Sequence, residues 1–236
     1  MKKRIWELDA LRGICILGMV AVHFVYDVVE LYGLADWDLP ELFLFVQKWG
    51  GVLFLLISGI CVTLGRRSVR RGAIVFACGM ICTAVTWGMY RLGFSGKGIV
   101  IWFGVLHCLG VCMLLWPVFK KLPWWGLLAA GAVLIGLGFY FDADPFVDTK
   151  LLMPLGLYWR GFVSSDYFPL CPNLGFFLLG AVLGRTLYRK QETLLPMFNE
   201  KTAILRFLSA CGRHSLWIYL LHQPVLSGIF YVLMLL

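Results

Sequence analysis

His23 and Asp27 are the first residues whose types and spacing could do chemistry, at the end of the apolar stretch RIWELDALRGICILGMVAVHFVYD, residues 4–27. Four positions apart on a helix, their side chains share one face. A carboxylate beside an imidazole fixes its tautomer and stabilises the imidazolium, which is what a general base requires. An ionisable group inside a bilayer is costly and is therefore a functional hypothesis by default. The plain alternative is a hydrated Asp27 at the membrane rim with His23 in a packing contact. Arg12 precedes His23 by eleven positions, roughly 16 Å along a helix. A cation at one interface and an imidazole near mid-membrane suit a long, phosphate-bearing donor whose reactive end lies at His23. Asp9, three residues before Arg12, offers that cation a local ion pair, and the two roles are compatible.

Three further histidines follow. His107 and His222 fall within apolar stretches, and His214 opens the last one. For His107 or His214 taken singly, a hydrogen bond to a backbone carbonyl is an equal reading. Gln223 precedes Pro224, and a proline within a span frees a carbonyl that needs a partner or lines a cavity.

The elements that must position these groups are membrane helices. Of 236 residues, 61% are hydrophobic and 14% charged, against about half and a quarter in soluble domains. The fold class is all-α, a polytopic helical bundle read as one domain over 1–236. About seven stretches approach the length that crosses a bilayer core of about 30 Å. They lie near 11–32, 43–65, 72–90, 99–119, 124–141, 172–188 and 214–235. Residues 1–32 read as a retained first span, because the apolar run is long, lacks a small-x-small cleavage site and contains His23. Sixteen Lys and Arg flank one side of these spans and five the other. The richer side is cytoplasmic, which puts the N-terminus inside and makes a multi-pass plasma-membrane protein. The net charge of +8 is topological, gathered in loop-end clusters such as RRSVRR, and nucleic acid is not expected as a partner.

Six of the eight cysteines fall within spans, Cys211 lies near the cytoplasmic face and Cys171 near the outside, and the pairs 78/82 and 108/112 have helical spacing. They read as small packing residues, and no metal is expected. GAVLG at 180–184 is a close-packing motif. Two loops stand out. The outer segment 142–171 is aromatic, acidic and proline-rich, and could line a cavity. The inner segment 185–213 carries an expected amphipathic interfacial helix from about 199 to 210.

Arg-x10-His within ELDALRGICILGMVAVH resembles the transmembrane acyltransferase superfamily, including acyltransferase-3 proteins. VLFLLISGI (52–60), WFGVLHCLG (102–110), SSDYFPLCPNLGFFLLGAVLG (164–184) and CGRHSLWIYLLHQPV (211–225) are similar to the heparan-α-glucosaminide N-acetyltransferase catalytic-domain branch, in its short bacterial form. These motifs cover the chain nearly end to end and contain all four histidines. The resemblance implies acetyl-CoA as a cytoplasmic donor and an amine or hydroxyl, on a sugar or glycan, as the outer acceptor. His23 is then the general base, oriented by Asp27. Arg12 contacts donor phosphates, with Arg66, Arg67 and Arg213 as further basic candidates. His107 and His222 polarise the thioester carbonyl or orient the acceptor. Asp166 and Tyr167 are candidates for acceptor hydroxyls, although Tyr167 reads equally as an interfacial anchor. The residues leave open the acceptor's identity, N- or O-transfer, direct attack or an acetyl-histidine, and a homodimer. Two other classes compete: a haem-binding membrane protein with axial histidines, and a proton-coupled transporter using His23 and Asp27 as a relay. The absence of repeats and of paired broken helices counts against the transporter.

Overall fold

The computed structural model describes residues 5–198 and 202–235. Among these, eight α-helices follow one another: α1 (Trp6–Tyr26), α2 (Glu41–Leu64), α3 (Ser68–Arg91), α4 (Val105–Phe119), α5 (Trp124–Ala143), α6 (Leu170–Thr186), α7 (Ala203–Arg213) and α8 (Ser215–Leu235). The extended segments make only isolated bridges, Phe103 with Tyr167 and Phe146 with Tyr158. Five helical stretches are long and apolar enough to cross a membrane: Trp6–Leu31, Phe43–Leu64, Ser68–Arg91, Trp124–Ala143 and Ser215–Leu235. The apolar helices Val105–Phe119 and Leu170–Thr186 are shorter. The chain is a helical membrane protein.

The chain divides into two compact units. One holds residues up to Phe54 together with those from Gln191 onward, and the other is Leu55–Lys190.

In the first unit α1 begins at Trp6, five residues before the expected start. The reason is local. Glu7 lies in the first turn and is 3% exposed, yet both carboxylate oxygens are satisfied. Thr193 Oγ1 and the Leu194 N–H each donate to it at 2.8 Å. An acid in the first turn also complements the helix dipole. At its far end α1 continues as a π-helical turn, Asp27–Leu31. Such single turns recur at functional sites. α7 packs against α1 so closely that a Cβ on Gly13 would strike the Leu208 carbonyl, and one on Gly212 would strike the Asp9 carbonyl. Lipid tails are as apolar as leucine, so this association rests on backbone approach rather than on hydrophobic burial. α7 is the amphipathic helix of segment 185–213. It starts at Ala203, and residues 199–201 of the expected range lie outside the described residues.

α8 lies along α1 in the same direction. Positions 23, 27 and 32 of the first stretch meet 222, 223 and 230 of the last. Val28, Leu226 and Phe230 form the buried apolar cluster beside them.

The second unit is built on small-residue seams. α3 and α4 run antiparallel, with Gly72 against the Gly110 carbonyl and Gly79 against the His107 ring. α5 and α6 do likewise, with Gly131 against the Gly175 carbonyl and Gly138 against Pro172. The later half of α2 runs parallel to α6, with Gly180 against the Leu56 carbonyl and Gly184 against Ile60 and Thr63. α4 starts at Val105 rather than near 99, because Ile101 spends its backbone groups elsewhere. Its N–H donates to Thr86 Oγ1 at 3.1 Å and its carbonyl accepts from Thr83 Oγ1 at 2.6 Å.

Candidate active site

In the first unit the expected pair sits on one face of α1, and that face meets α8. The His23 and His222 rings are edge to face, centroids 4.8 Å apart at 61°. One turn on, Asp27 is 1% exposed. Its partner is Gln223, whose Nε2 lies 3.1 Å from one carboxylate oxygen and 2.9 Å from the other. Among the described residues no hydrogen bond joins Asp27 to His23. Asp27 therefore orders the site through the Gln223 amide, and the imidazole that contacts His23 comes from α8.

The tautomer of His222 follows from its neighbour. Nδ1 lies 2.5 Å from the Tyr219 carbonyl oxygen. A carbonyl only accepts, so Nδ1 carries the proton and Nε2 of the neutral ring presents a lone pair. That Nε2 is buried and has no hydrogen-bond partner, and the same is true of Gln223 Oε1.

Lower on α1, Arg12 donates to Asp9 at 2.7 Å, as the spacing predicts, while its buried Nε is unpartnered. Arg213 is exposed at the end of α7, and His214 follows it, also exposed.

The second unit holds the other candidates. His107 is 2% exposed, and both its nitrogens are engaged. Nδ1 accepts from the Gly104 N–H at 3.2 Å, closing the start of α4. Thr83 Oγ1 lies 3.2 Å from Nε2, and its single proton already goes to the Ile101 carbonyl. His107 Nε2 is therefore the donor to Thr83. His107 and His222 hold opposite tautomers. One has no nitrogen left for a substrate, and the other leaves a lone pair free.

Asp166 Oδ2 accepts from the Val105 N–H at 3.0 Å, so its carboxylate sits at the N-terminus of α4. Ser164 and Ser165 bind the Asp166 and Ile99 carbonyls at 2.8 and 2.7 Å, and the Phe168 N–H binds the Phe103 carbonyl at 2.9 Å. The segment 142–171 is thereby stitched to residues 99–105. Tyr167 donates to the Met153 carbonyl at 2.6 Å. Burial, with Tyr158 alongside, holds its phenol above the usual range, so it stays a donor. Arg66 and Arg67 are exposed in the turn between α2 and α3.

Thr83, Tyr219 and Thr193 enter only through their partners. A threonine or a backbone carbonyl carries no distinguishing signal until its partner is in place.

The family model described as heparan-alpha-glucosaminide N-acetyltransferase, catalytic, matches residues 4–224. The chain belongs to that family. No curated protein and no solved structure matches it. Membership makes this helical membrane protein an acetyltransferase, a family that uses acetyl-CoA as donor. The matched residues include the whole His23, Asp27, His222 and Gln223 arrangement and end at Pro224. Among the described residues no group of His, Cys, Asp and Glu is placed to hold a metal ion.

Proposed function

We propose that the chain carries an acetyl group from cytoplasmic acetyl-CoA to an amine or hydroxyl of an extracytoplasmic sugar acceptor, within a single acyltransferase domain of the plasma membrane. The apposition of His23 and His222 beside the Asp27–Gln223 pair carries this reading, because it gathers proton-accepting groups around one buried carboxylate. His23 is the general base. As the acceptor attacks the thioester carbonyl carbon, the new bond to nitrogen or oxygen forms and the C–S bond breaks. The acceptor's proton passes to the histidine and then to the departing thiolate. Arg12, with a buried Nε to spare, meets the donor's phosphates. Arg213, exposed at the end of α7 in the same unit, is free to assist, and Arg66 and Arg67 are exposed in the second unit.

An arrangement of seven spans is supported by helix direction, and the N-terminus inside by the Lys and Arg bias of the connecting segments. α1 and α8 run the same way, as first and last members of an odd series do. α2 and α6 also run the same way, as they do when α3, α4 and α5 each cross between them.

The test is binding of acetyl-CoA to the purified chain, followed by thioester loss with a panel of amino sugars. Saturable binding weakened by Arg12→Ala, with turnover dependent on His23, is the expected result. No binding at millimolar donor overturns it.

A further inference from the structure

The proposed reaction brings two substrates to one place, and their ends differ in hydrogen-bond character. The thioester carbonyl and the phosphates of acetyl-CoA offer lone pairs. An amine or hydroxyl to be acetylated offers N–H or O–H donors. Buried polar groups in native proteins are paired, and an unpaired one has a cost that calls for an explanation.

Two adjacent residues of α8 present such groups. His222 Nε2 and Gln223 Oε1 are both buried, and neither has a hydrogen-bond partner. Their chemical sense is fixed by neighbours. The Tyr219 carbonyl holds the His222 proton on Nδ1, which leaves Nε2 a lone pair. The Asp27 carboxylate accepts from Gln223 Nε2, which turns Oε1 the other way. With Nε2 within reach of both Asp27 oxygens, Oε1 is the amide atom left facing away from them. The result is a patch that only accepts hydrogen bonds, against the ring of His23. Eleven positions earlier on α1, Arg12 is the opposite case, a buried donor with a nitrogen to spare.

We infer that His222 Nε2 and Gln223 Oε1 form the docking subsite for the group that is acetylated, holding its N–H or O–H donors beside His23. The inference rests on the acyltransferase reading and adds where the acceptor's reactive end lies. The patch suits the acceptor and offers nothing to the thioester carbonyl or to phosphate, whereas Arg12 suits phosphate and offers nothing to an amine. His222 touches substrate here and is a catalytic residue in that sense. Asp27 and the Tyr219 carbonyl act through their neighbours and are positioning groups.

The experiment uses the full chain in nanodiscs, with acetyl-CoA as donor and, as acceptor, whichever amino sugar the wild-type protein acetylates best. His222→Leu removes the lone pair. His222→Gln keeps an amide oxygen near the Nε2 position. Losing one buried hydrogen bond to the acceptor should raise its KM by about tenfold in His222→Leu. The donor's binding constant should stay within about twofold, and His222→Gln should recover most of the acceptor's KM. Where His222→Leu fails to fold, His222→Asn replaces it. Its amide still bonds the Tyr219 carbonyl but is too short to reach the Nε2 position, and the same rise in KM is expected. An acceptor KM unchanged in these variants, or weaker donor binding in their place, overturns the subsite while leaving the reaction standing. A wild-type protein that consumes no acetyl-CoA with any acceptor overturns the acyltransferase reading, and the subsite with it.

Discussion

Gln223 on α8 reaches both oxygens of the Asp27 carboxylate on α1 with one nitrogen, at 3.1 and 2.9 Å. The carboxylate is 1% exposed, so this amide is what makes its burial tolerable. Gln223→Leu leaves a buried acid unpaired and should cost about 2–3 kcal/mol of stability. Replacing both partners by leucine should cost less than Gln223→Leu alone, because no orphan remains. Chemical unfolding of the purified variants in detergent checks the order. A double variant less stable than Gln223→Leu would show that the pair does not act as a unit.

Asp27→Asn tests the orientation of the same amide. An asparagine both donates and accepts, so Gln223 is no longer forced to turn Oε1 away from residue 27. The fold should hold, and the acceptor's KM should rise with little change in donor binding. Steady-state kinetics with each substrate varied in turn reads this directly.

His23→Ala should lower transfer by about a hundredfold to ten-thousandfold, the range a positioned proton acceptor supplies. Acetyl-CoA binding should stay close to that of the unaltered chain. Calorimetry and a thiol-release assay on the same preparation separate the two. Full activity in this variant would remove His23 from the mechanism.

Arg12→Ala should act on the donor instead. Its guanidinium has one bond to Asp9 and a buried Nε to spare. Weaker acetyl-CoA binding is expected, with Arg12→Lys recovering only part, since a point charge does not reproduce the planar fork. A donor lacking the adenosine phosphates should lose the difference between the two variants.

Packing gives a prediction independent of the chemistry. A methyl on Gly212 would collide with the Asp9 carbonyl, whereas one on Gly136 meets nothing within 4 Å. Gly212→Ala should destabilise by about 1–3 kcal/mol, the usual cost of overpacking. Gly136→Ala should be close to neutral or slightly stabilising, as alanine is the better helix former. Equal unfolding midpoints would contradict the α1–α7 contact.

Much was legible because lipid narrows the choices. Apolar runs of span length must become helices, since no other open segment satisfies its backbone in a bilayer. The spacing of His23 and Asp27 fixed their shared face, and that of Asp9 and Arg12 their ion pair. The motifs carry the family resemblance, and the family's model matches residues 4–224. What these could not reach was pairing between distant positions. Asp27 beside His23 in the chain reads as that histidine's orienter, yet its hydrogen bonds go to a glutamine 196 positions away. His107 and His222 look alike as letters in apolar runs. Only the partners brought by α3 and by the preceding turn of α8 decide that one is closed and the other open. The sequence by itself determined which residues lie on which face of each helix, because that follows from a local period. Tertiary structure alone decided which lone pairs are left unspent, because a hydrogen bond depends on the group that arrives from elsewhere in the chain.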